Sequence, residues 1–426
     1  MTEWAQPRSA FGAPPRGGGA GGPAKPDPRR PLDGRRSVRY IAALTLLAGA
    51  SLQAGASTLT LGVLQRDDDA RLDAKRVELA YPGQPGGPLA QAVEMAVKES
   101  AFELDAAKLA VKLDVRAARS ADDAKTVLAQ LVKAGASAVV LDLPAAWIAA
   151  AAAGTTLPLL NAGEADDAPR QQACLPNLFH TLPGDRMRAD AVAQTLLARK
   201  WSKVLLLAGP LPADARRLAL VQAAAKRYGL KVIATKPFKL SADPRERDLA
   251  NPLLLTGTSS TGDYDVVWVV DSDGEFARGL PYRTALPRPV VGDAGLMAEA
   301  WAPHFERFGA PQLARRFVRA AQRPMTGPDW AAYMAAKAVL QAALEAPAAP
   351  NAAQIQKALT RADFTLDGFK GVRLGFRAWD RQLRQPLLMS DGQGVIAMAP
   401  VEGVMHPKNV LDTLGADAPE SACKAK

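Results

Sequence analysis

Seven acidic residues stand where strands are expected to end, and they are the side chains of this sequence best placed to do chemistry. Asp142, Glu164, Asp166, Asp167, Asp271, Asp273 and Asp293 each follow a short apolar run, and Asp67, Asp68 and Asp69 follow the first such run in the same way. In an open α/β sheet, ligands bind in the crevice outside the C-terminal ends of the strands. Two carboxylates about 5 Å apart repel by about 3 kcal/mol at an effective dielectric near 20, so several facing one cleft would want a cation. Hard cations prefer oxygen ligands, and on this reading Asp271, Asp273, Glu164 and Asp166 are candidate metal ligands. The alternative is that these acids are helix N-caps and turn residues, as acids at βα junctions commonly are.

Other chemistries find little footing. The sequence has no GxxxxGK[ST], GxSxG or HExxH motif and no EF-hand spacing. His180, His304 and His406 are far apart and lack an i,i+4 partner. His180 is kept as a candidate because it falls at a strand end beside a lobe junction. No serine, histidine and acid can be assigned as a nucleophilic set, so no catalytic residue is expected and the chain is not expected to be an enzyme. Nothing in the sequence requires a cofactor. Its two cysteines, Cys174 and Cys423, are an even count that in an oxidising compartment permits one disulfide, tying the C-terminal tail to the body.

The elements that position these residues are alternating strands and helices. Val266 to Val270 is a continuous apolar, β-branched run, the pattern of a strand buried on both faces, and it stops at Asp271-Ser272-Asp273-Gly274. Strands are expected over 58–64, 109–115, 138–141, 158–161 and 178–181, with helices over 88–103, 121–133 (capped by Ser120), 145–153 and 185–200 between or after them. A second βα series begins at 204–207 and continues through a helix over 212–228, a strand over 230–234, the 266–270 strand and a short strand over 289–291. Helices over 313–322, 330–345 and 352–360 follow, then short strands over 372–376, 387–389 and 395–398. Repeated strand–helix units imply parallel sheets with right-handed crossovers. The predicted fold class is therefore α/β, with two Rossmann-like lobes and a cleft between them. Residues 57–180 and 292–370 are assigned to the first lobe, 181–291 and 371–400 to the second, and 401–426 to a tail.

A chain of 426 residues is long enough for two cores. Its formal charge is +10, of which residues 1–56 carry +5, and the rest shows no basic run with interleaved aromatics. Nucleic acid is thus not an expected partner. Arg35, Arg36 and Arg39 precede an apolar stretch over 40–50, and Ala54-Gly55-Ala56 has the small-x-small cleavage pattern. The apolar stretch is too short to span a bilayer. The expectation is a Gly/Pro-rich extension plus a signal peptide over 1–56, cut after Ala56, and a periplasmic protein that does not span the membrane after cleavage.

Several stretches resemble one known family: Phe369-Lys-Gly-Val-Arg-Leu-Gly-Phe-Arg-Ala-Trp-Asp380, Ala173-Cys174 with Asn177-Leu-Phe-His180, Asp271 to Arg283, Pro287-Arg-Pro-Val-Val-Gly292 and Pro328-Asp-Trp-Ala-Ala332. They are similar to type I periplasmic solute-binding proteins of the branched-chain amino-acid branch. The nearer resemblance is to the substrate-binding proteins of ABC transporters associated with PQQ-dependent alcohol catabolism. The resemblance implies a Venus-flytrap fold with a three-stranded hinge, a small ligand trapped between the lobes and an ABC permease as partner. With the strand-end positions noted above, the candidate ligand-binding residues are Asp142, Glu164, Asp166, Asp167, His180, Asp271, Asp273 and Asp293. Where amino-acid binders of that family use a Ser/Thr pair, this chain has Asp142-Leu-Pro-Ala-Ala146 and Ala162-Gly-Glu-Ala-Asp-Asp167. That exchange favours a cationic or metal-containing ligand, calcium or a lanthanide, free or chelated. A ligand sensor or assembly partner without transport is the remaining alternative.

Overall fold

A computed structural model describes residues 57–69, 86–241, 243, 245–246, 251, 262–346 and 350–423. The extension and signal peptide expected over 1–56, and most of the polar connection after the first strand, lie outside the described residues.

The first lobe is a parallel sheet of strands β1 (Ser57–Arg66), β2 (Leu109–Ala118), β3 (Ala136–Asp142), β4 (Leu159–Asn161) and β5 (Leu178–His180), in the order β2-β1-β3-β4-β5. Helices α1 (Ala90–Glu99), α2 (Ala101–Ala106), α3 (Ala121–Lys133) and α4 (Ala145–Ala152) connect its strands. The single helix expected over 88–103 is two helices, because Ser100 turns its hydroxyl back onto the Ala96 carbonyl (3.0 Å) and the chain breaks there. α3 starts as its sequence demands: the Ser120 hydroxyl accepts from the Asp123 amide at 3.1 Å.

The second lobe repeats the plan with β6 (Lys203–Ala208), β7 (Lys231–Pro237), β8 (Val266–Val270) and β9 (Val290–Gly292), all parallel in the order β7-β6-β8-β9. α5 (Asp185–Ala198) leads into this lobe and α6 (Pro212–Arg227) joins β6 to β7. β8 is buried at every position, as its unbroken apolar run requires.

A third layer was not foreseen. β10 (Met297–Glu299) has no counterpart among the expected strands, and it pairs antiparallel with a later strand, β13 (Leu387–Ser390), which pairs in turn with β14 (Val395–Ala399). Leu387 and Met389 of β13 join the core of the second lobe, whereas Leu388 between them joins that of the first. This small sheet therefore lies between the lobes. Residues 290–299, assigned from sequence partly to the first lobe, belong with the second lobe and this layer; three-residue strands are too short for their pattern to declare a partner.

Helices α7 (Ala310–Ala321), α8 (Gly327–Leu344) and α9 (Ala352–Leu359) pack into the first-lobe core, with Phe317, Trp330 and Ile355 fully buried there. α7 and α8 each begin three residues before the expected position, since Pro311 and Pro328 occupy first-turn sites where a missing N–H costs nothing. In the α8 cap, Asp329 accepts from the Thr326 amide and from both terminal nitrogens of Arg323 at 2.6 and 2.7 Å. The strand expected over 372–376 reduces to β12 (Arg373–Leu374), paired with β11 (Leu366–Asp367). The tail runs along α5, where Leu414 enters the second-lobe core, and ends in a disulfide from Cys423 to Cys174 of the first lobe, with 5.6 Å between the Cα atoms. No described helix is long and apolar enough to cross a membrane.

Candidate functional site

A cavity of about 510 Å³ opens at the C-terminal ends of β8 and β9. Its walls come from α5, α6 and β10, and Ala300, Gly327 and Pro328 reach it from the first lobe. This is the crevice position that the topology dictates, beside the point where β6 and β8 carry the chain to opposite sides of the sheet. Gly292 is what lets the backbone close this end. It has φ of +108°, and a Cβ there would run into the Val269 carbonyl and the Trp268 ring.

Of the seven acids and one histidine expected at a ligand, three line this cavity. Asp271, at the end of β8, is 2% exposed; its Oδ2 accepts from the Ala277 amide at 2.8 Å, while Oδ1 is buried with no hydrogen-bond partner. Burial pushes its carboxyl above the usual carboxylate range. Asp293 accepts from the Asp271 amide at 2.7 Å and forms an ion pair with Arg217, which also lies 3.7 Å from Asp185. Asp273 is exposed at the cavity wall.

The other five lie elsewhere, and four of them have a structural use shown by their hydrogen bonds. Asp142 is buried beneath Gly163 at the end of β3. Glu164 accepts from the Ala145 amide, at the start of α4, and from the Asp166 amide, both at 2.8 Å. Asp166 accepts from the Ala168 amide and pairs across the lobes with Arg216 of α6 at 3.3 Å. Asp167, also from the first lobe, accepts from the Arg186 amide at 2.8 Å and so caps α5 of the second. Burial raises its carboxyl to about 6, against the opposing charge of Arg170. For Glu164, Asp166 and Asp167 these are the cap and turn roles left open by the sequence.

His180 lies buried where the 381–383 segment crosses the end of β5. It is 1% exposed, its ring Nδ1 lies 3.1 Å from the Asn161 amide nitrogen, and its backbone bonds to Arg381 and Leu383. Burial, then the nearby Arg170 charge, holds its pKa well below the usual histidine value, so it stays neutral. Arg170 and Gln382 complete this crossing: the Arg170 Nε donates to Gln382 Oε1 at 2.8 Å, and Gln382 donates to the carbonyls of His180 and Leu182. The buried guanidinium also donates to the Glu164, Asp166 and Leu182 carbonyls.

Among the described residues no three His, Cys, Asp or Glu side chains converge as a metal set. The four candidate metal ligands divide between two places, with Glu164 and Asp166 committed to backbone donors and Asp271 and Asp273 at the cavity. A calcium or lanthanide site built from all four is therefore not what this geometry forms.

Sequence reasoning missed Arg188 and Glu299, which share the cavity. Arg188 follows Asp185 by three residues and precedes Val192 by four, so all three fall on one face of α5, and all three line the cavity. That spacing was a readable signal. The Arg188 Nε is buried with no hydrogen-bond partner. Glu299 lies on the unforeseen strand β10, where burial raises its carboxyl to about 7 although the Arg188 charge works in the other direction. Asp214 was also missed: fully buried in the first turn of α6, it accepts from the amides of Ser272 (2.6 Å) and Leu211 (3.0 Å) and holds the turn after β8.

No family model matches the chain, and no curated protein matches it. Solved structures do. A branched-chain amino acid ABC transporter periplasmic ligand-binding protein from Burkholderia xenovorans is 15% identical over 86% of this chain and 99% of its own, with a TM-score of 0.67. An ABC transporter solute-binding protein from R. palustris, in complex with benzoate, is 11% identical over 86% of this chain and 100% of its own, at 0.62. A substrate-binding protein of an ABC transporter from Desulfitobacterium hafniense, in complex with Leu, is 14% identical over 80% and 99%, also at 0.62. At such identities the likeness is one of fold, and the chain has the two-lobed α/β fold of the type I periplasmic binding proteins.

Proposed function

We propose that this protein is the solute-capturing component of an ABC importer, holding a small ligand in the cavity between its lobes. The observation that carries the reading is the cavity itself. It lies at the strand ends of the second lobe, is reached by the first lobe, and holds buried polar atoms with no partner in the protein. Its volume is within the range of small-molecule sites, about 300–1,000 Å³. Structures of the same fold are named for this activity, with benzoate and Leu in two of them. Periplasmic location, a cut after Ala56, a permease partner and a link to PQQ-dependent alcohol oxidation are finer parts of the proposal, and they rest on the sequence. A free hard cation as ligand has less support than an organic solute, since the acids do not converge.

Thermal unfolding of the purified protein, scanned against organic acids, amino acids, short alcohols, calcium and lanthanum, tests the reading. A true ligand at 100 times its Kd stabilises the folded state by about 2.7 kcal/mol, a shift of several degrees. The expected result is a saturable shift from an organic solute, accompanied by a smaller radius of gyration as the lobes close. Turnover of any of these compounds, or no shift from all of them, overturns it.

A further inference from the structure

The chain passes between the lobe cores over short stretches. Leu182 lies in the core of the first lobe and Met187 in that of the second; Ala300 and Ala298 are divided in the same way, and so are Leu383 and Leu387. A further covalent link comes from the C-terminal tail. The tail is first fixed to the second lobe: Leu414 is buried in its core, the Gly415 amide donates to the buried Asp190 of α5 at 2.8 Å, and the Tyr228 hydroxyl donates to the Thr413 carbonyl at 3.0 Å. Farther along, Glu420 forms ion pairs with Arg186 of α5 and Arg227 of α6. Immediately beyond, the tail belongs to the first lobe. The Ala422 amide donates to the Gln171 side chain at 2.9 Å, and Cys423 is bonded to Cys174.

We propose that the end of the tail is a strap between the lobes, and that its disulfide limits how far they part. A disulfide joining the tail to the lobe it packs on would staple the tail and leave the lobes free to move. This one leaves an anchor on the second lobe and closes on the first. Three residues follow Glu420 up to Cys423, and a fully extended run of that length reaches about 10 Å. Once the ion pairs of Glu420 part, the next fixed point is Gly415, and the eight residues from there to Cys423 reach about 28 Å. The strap thus has a tight setting and a slack one, divided by half-exposed ion pairs of the kind that contribute little and break readily. Gln171, Cys174, Glu420 and Cys423 do not line the cavity, so the strap acts on the opening of the lobes and not on the solute. A restricted opening keeps more of the free protein near its closed form, and apparent affinity rises with that fraction.

Single-molecule energy transfer in the ligand-free full protein tests this, with dyes on non-natural residues at Lys125 of α3 and Gln222 of α6, both exposed and one in each lobe. The deciding variant inserts six Gly/Ser residues between Ser421 and Ala422. The bond can still form, and since it already spans 249 residues, six more barely change the entropy of closing the loop. The strap gains about 20 Å of reach, and the mean distance between the dyes is expected to grow by at least about 5 Å. Cys174→Ser combined with Cys423→Ser is expected to open at least as far, and Glu420→Ala, which keeps the bond, by less. Thiol titration verifies the disulfide and urea melts verify folding. A distance distribution that the insertion leaves unchanged overturns the inference, even where the cysteine-free variant opens, because the bond would then act on stability alone. Should the inserted chain not fold, an unchanged distribution in Glu420→Ala overturns it and a wider one upholds it. No solute enters the test, so its failure leaves solute capture to be judged by the thermal scan.

Discussion

Glu164 and Asp271 each follow a buried parallel strand, one in each lobe, and they have opposite fates. After β4 the chain folds straight back, and both oxygens of Glu164 take backbone amides. After β8 the chain leaves through Gly274, at φ of +80°, and a 3-10 turn over Ala277–Tyr282 supplies the Ala277 amide to one oxygen of Asp271, while the other is buried with no hydrogen-bond partner. An acid at a strand end keeps an oxygen available only where the following backbone does not use both. The two lobes share the strand order 2-1-3-4, with a fifth strand in the first, yet their acids differ in use: those of the first lobe hold loops and the neighbouring helix cap, and those of the second border the cavity.

The sharpest way to break this comparison is to substitute the two residues and compare stabilities. Glu164→Ala strips acceptors from the Ala145 and Asp166 amides and is expected to cost about 2–3 kcal/mol in urea unfolding. Asp271→Asn keeps the shape and replaces a carboxylate that has one unmatched oxygen, so its stability should stay within about 0.5 kcal/mol of the parent. Equal losses in the two variants would mean that both acids are structural and that the cavity oxygen has no special standing.

A smaller effect separates the lobes by pH. Glu299 has its carboxyl raised from an ordinary value near 4.5 to about 7 by burial in the wall of the second-lobe cavity. Between those values the folded protein binds a proton that the unfolded chain has released, so this residue makes stability fall as pH rises from about 4.5 toward 7. Glu299→Gln removes that contribution. With allowance for residual solvent at this partly buried group, the slope lost amounts to roughly 2 kcal/mol across the interval. Asp167 and Asp190, raised to about 6 and about 7, act in the same direction and remain in the variant, so the slope should be reduced and not abolished. An unchanged pH profile would place Glu299 in contact with solvent.

How far the sequence led follows from the same physics. β8 was plain because five consecutive apolar residues admit few alternatives, and the paired βα series followed from strand and helix periods repeated along the chain. β10, with three residues and one buried position, carries no period, so the layer between the lobes and Glu299 with it were invisible. The acids were found by type and place, but their roles were set by donors that the turns bring in, such as the Ala145, Ala168 and Arg186 amides. Residue type does not report those. His180 was placed at the lobe junction, where it lies, yet its surroundings are the buried Asn161, Arg170 and Gln382 and not a ligand. Arg188 was missed for a different reason: its spacing from Asp185 and Val192 puts the three on one face of α5, but a basic residue on a helix reads as solvent-facing until the packing of that face is known.

Asp273 gives the finest discrimination, because the two ligand classes assign it opposite effects. It is exposed at the cavity wall beside the turn that carries Asp271, and exposed acids of this kind contribute little to stability, so Asp273→Ala should melt within about 0.5 kcal/mol of the parent. If the cavity receives a carboxylate, the Asp273 charge repels the incoming solute, and its removal should raise the association rate by about 2-fold at low salt. The gain should fade toward 0.15 M, where the screening length is about 8 Å. If the cavity receives a cation, the same substitution removes an attractive charge, so association should slow at low salt and Kd should rise. Stopped-flow association of 4-hydroxybenzoate and of lanthanum, each at two ionic strengths, reads the sign directly. A faster organic acid accompanied by no response to lanthanum supports the division of labour drawn here. A slower lanthanum association, weakened further in the Asp271→Asn background, would return the second-lobe acids to the metal role that their sequence positions first suggested.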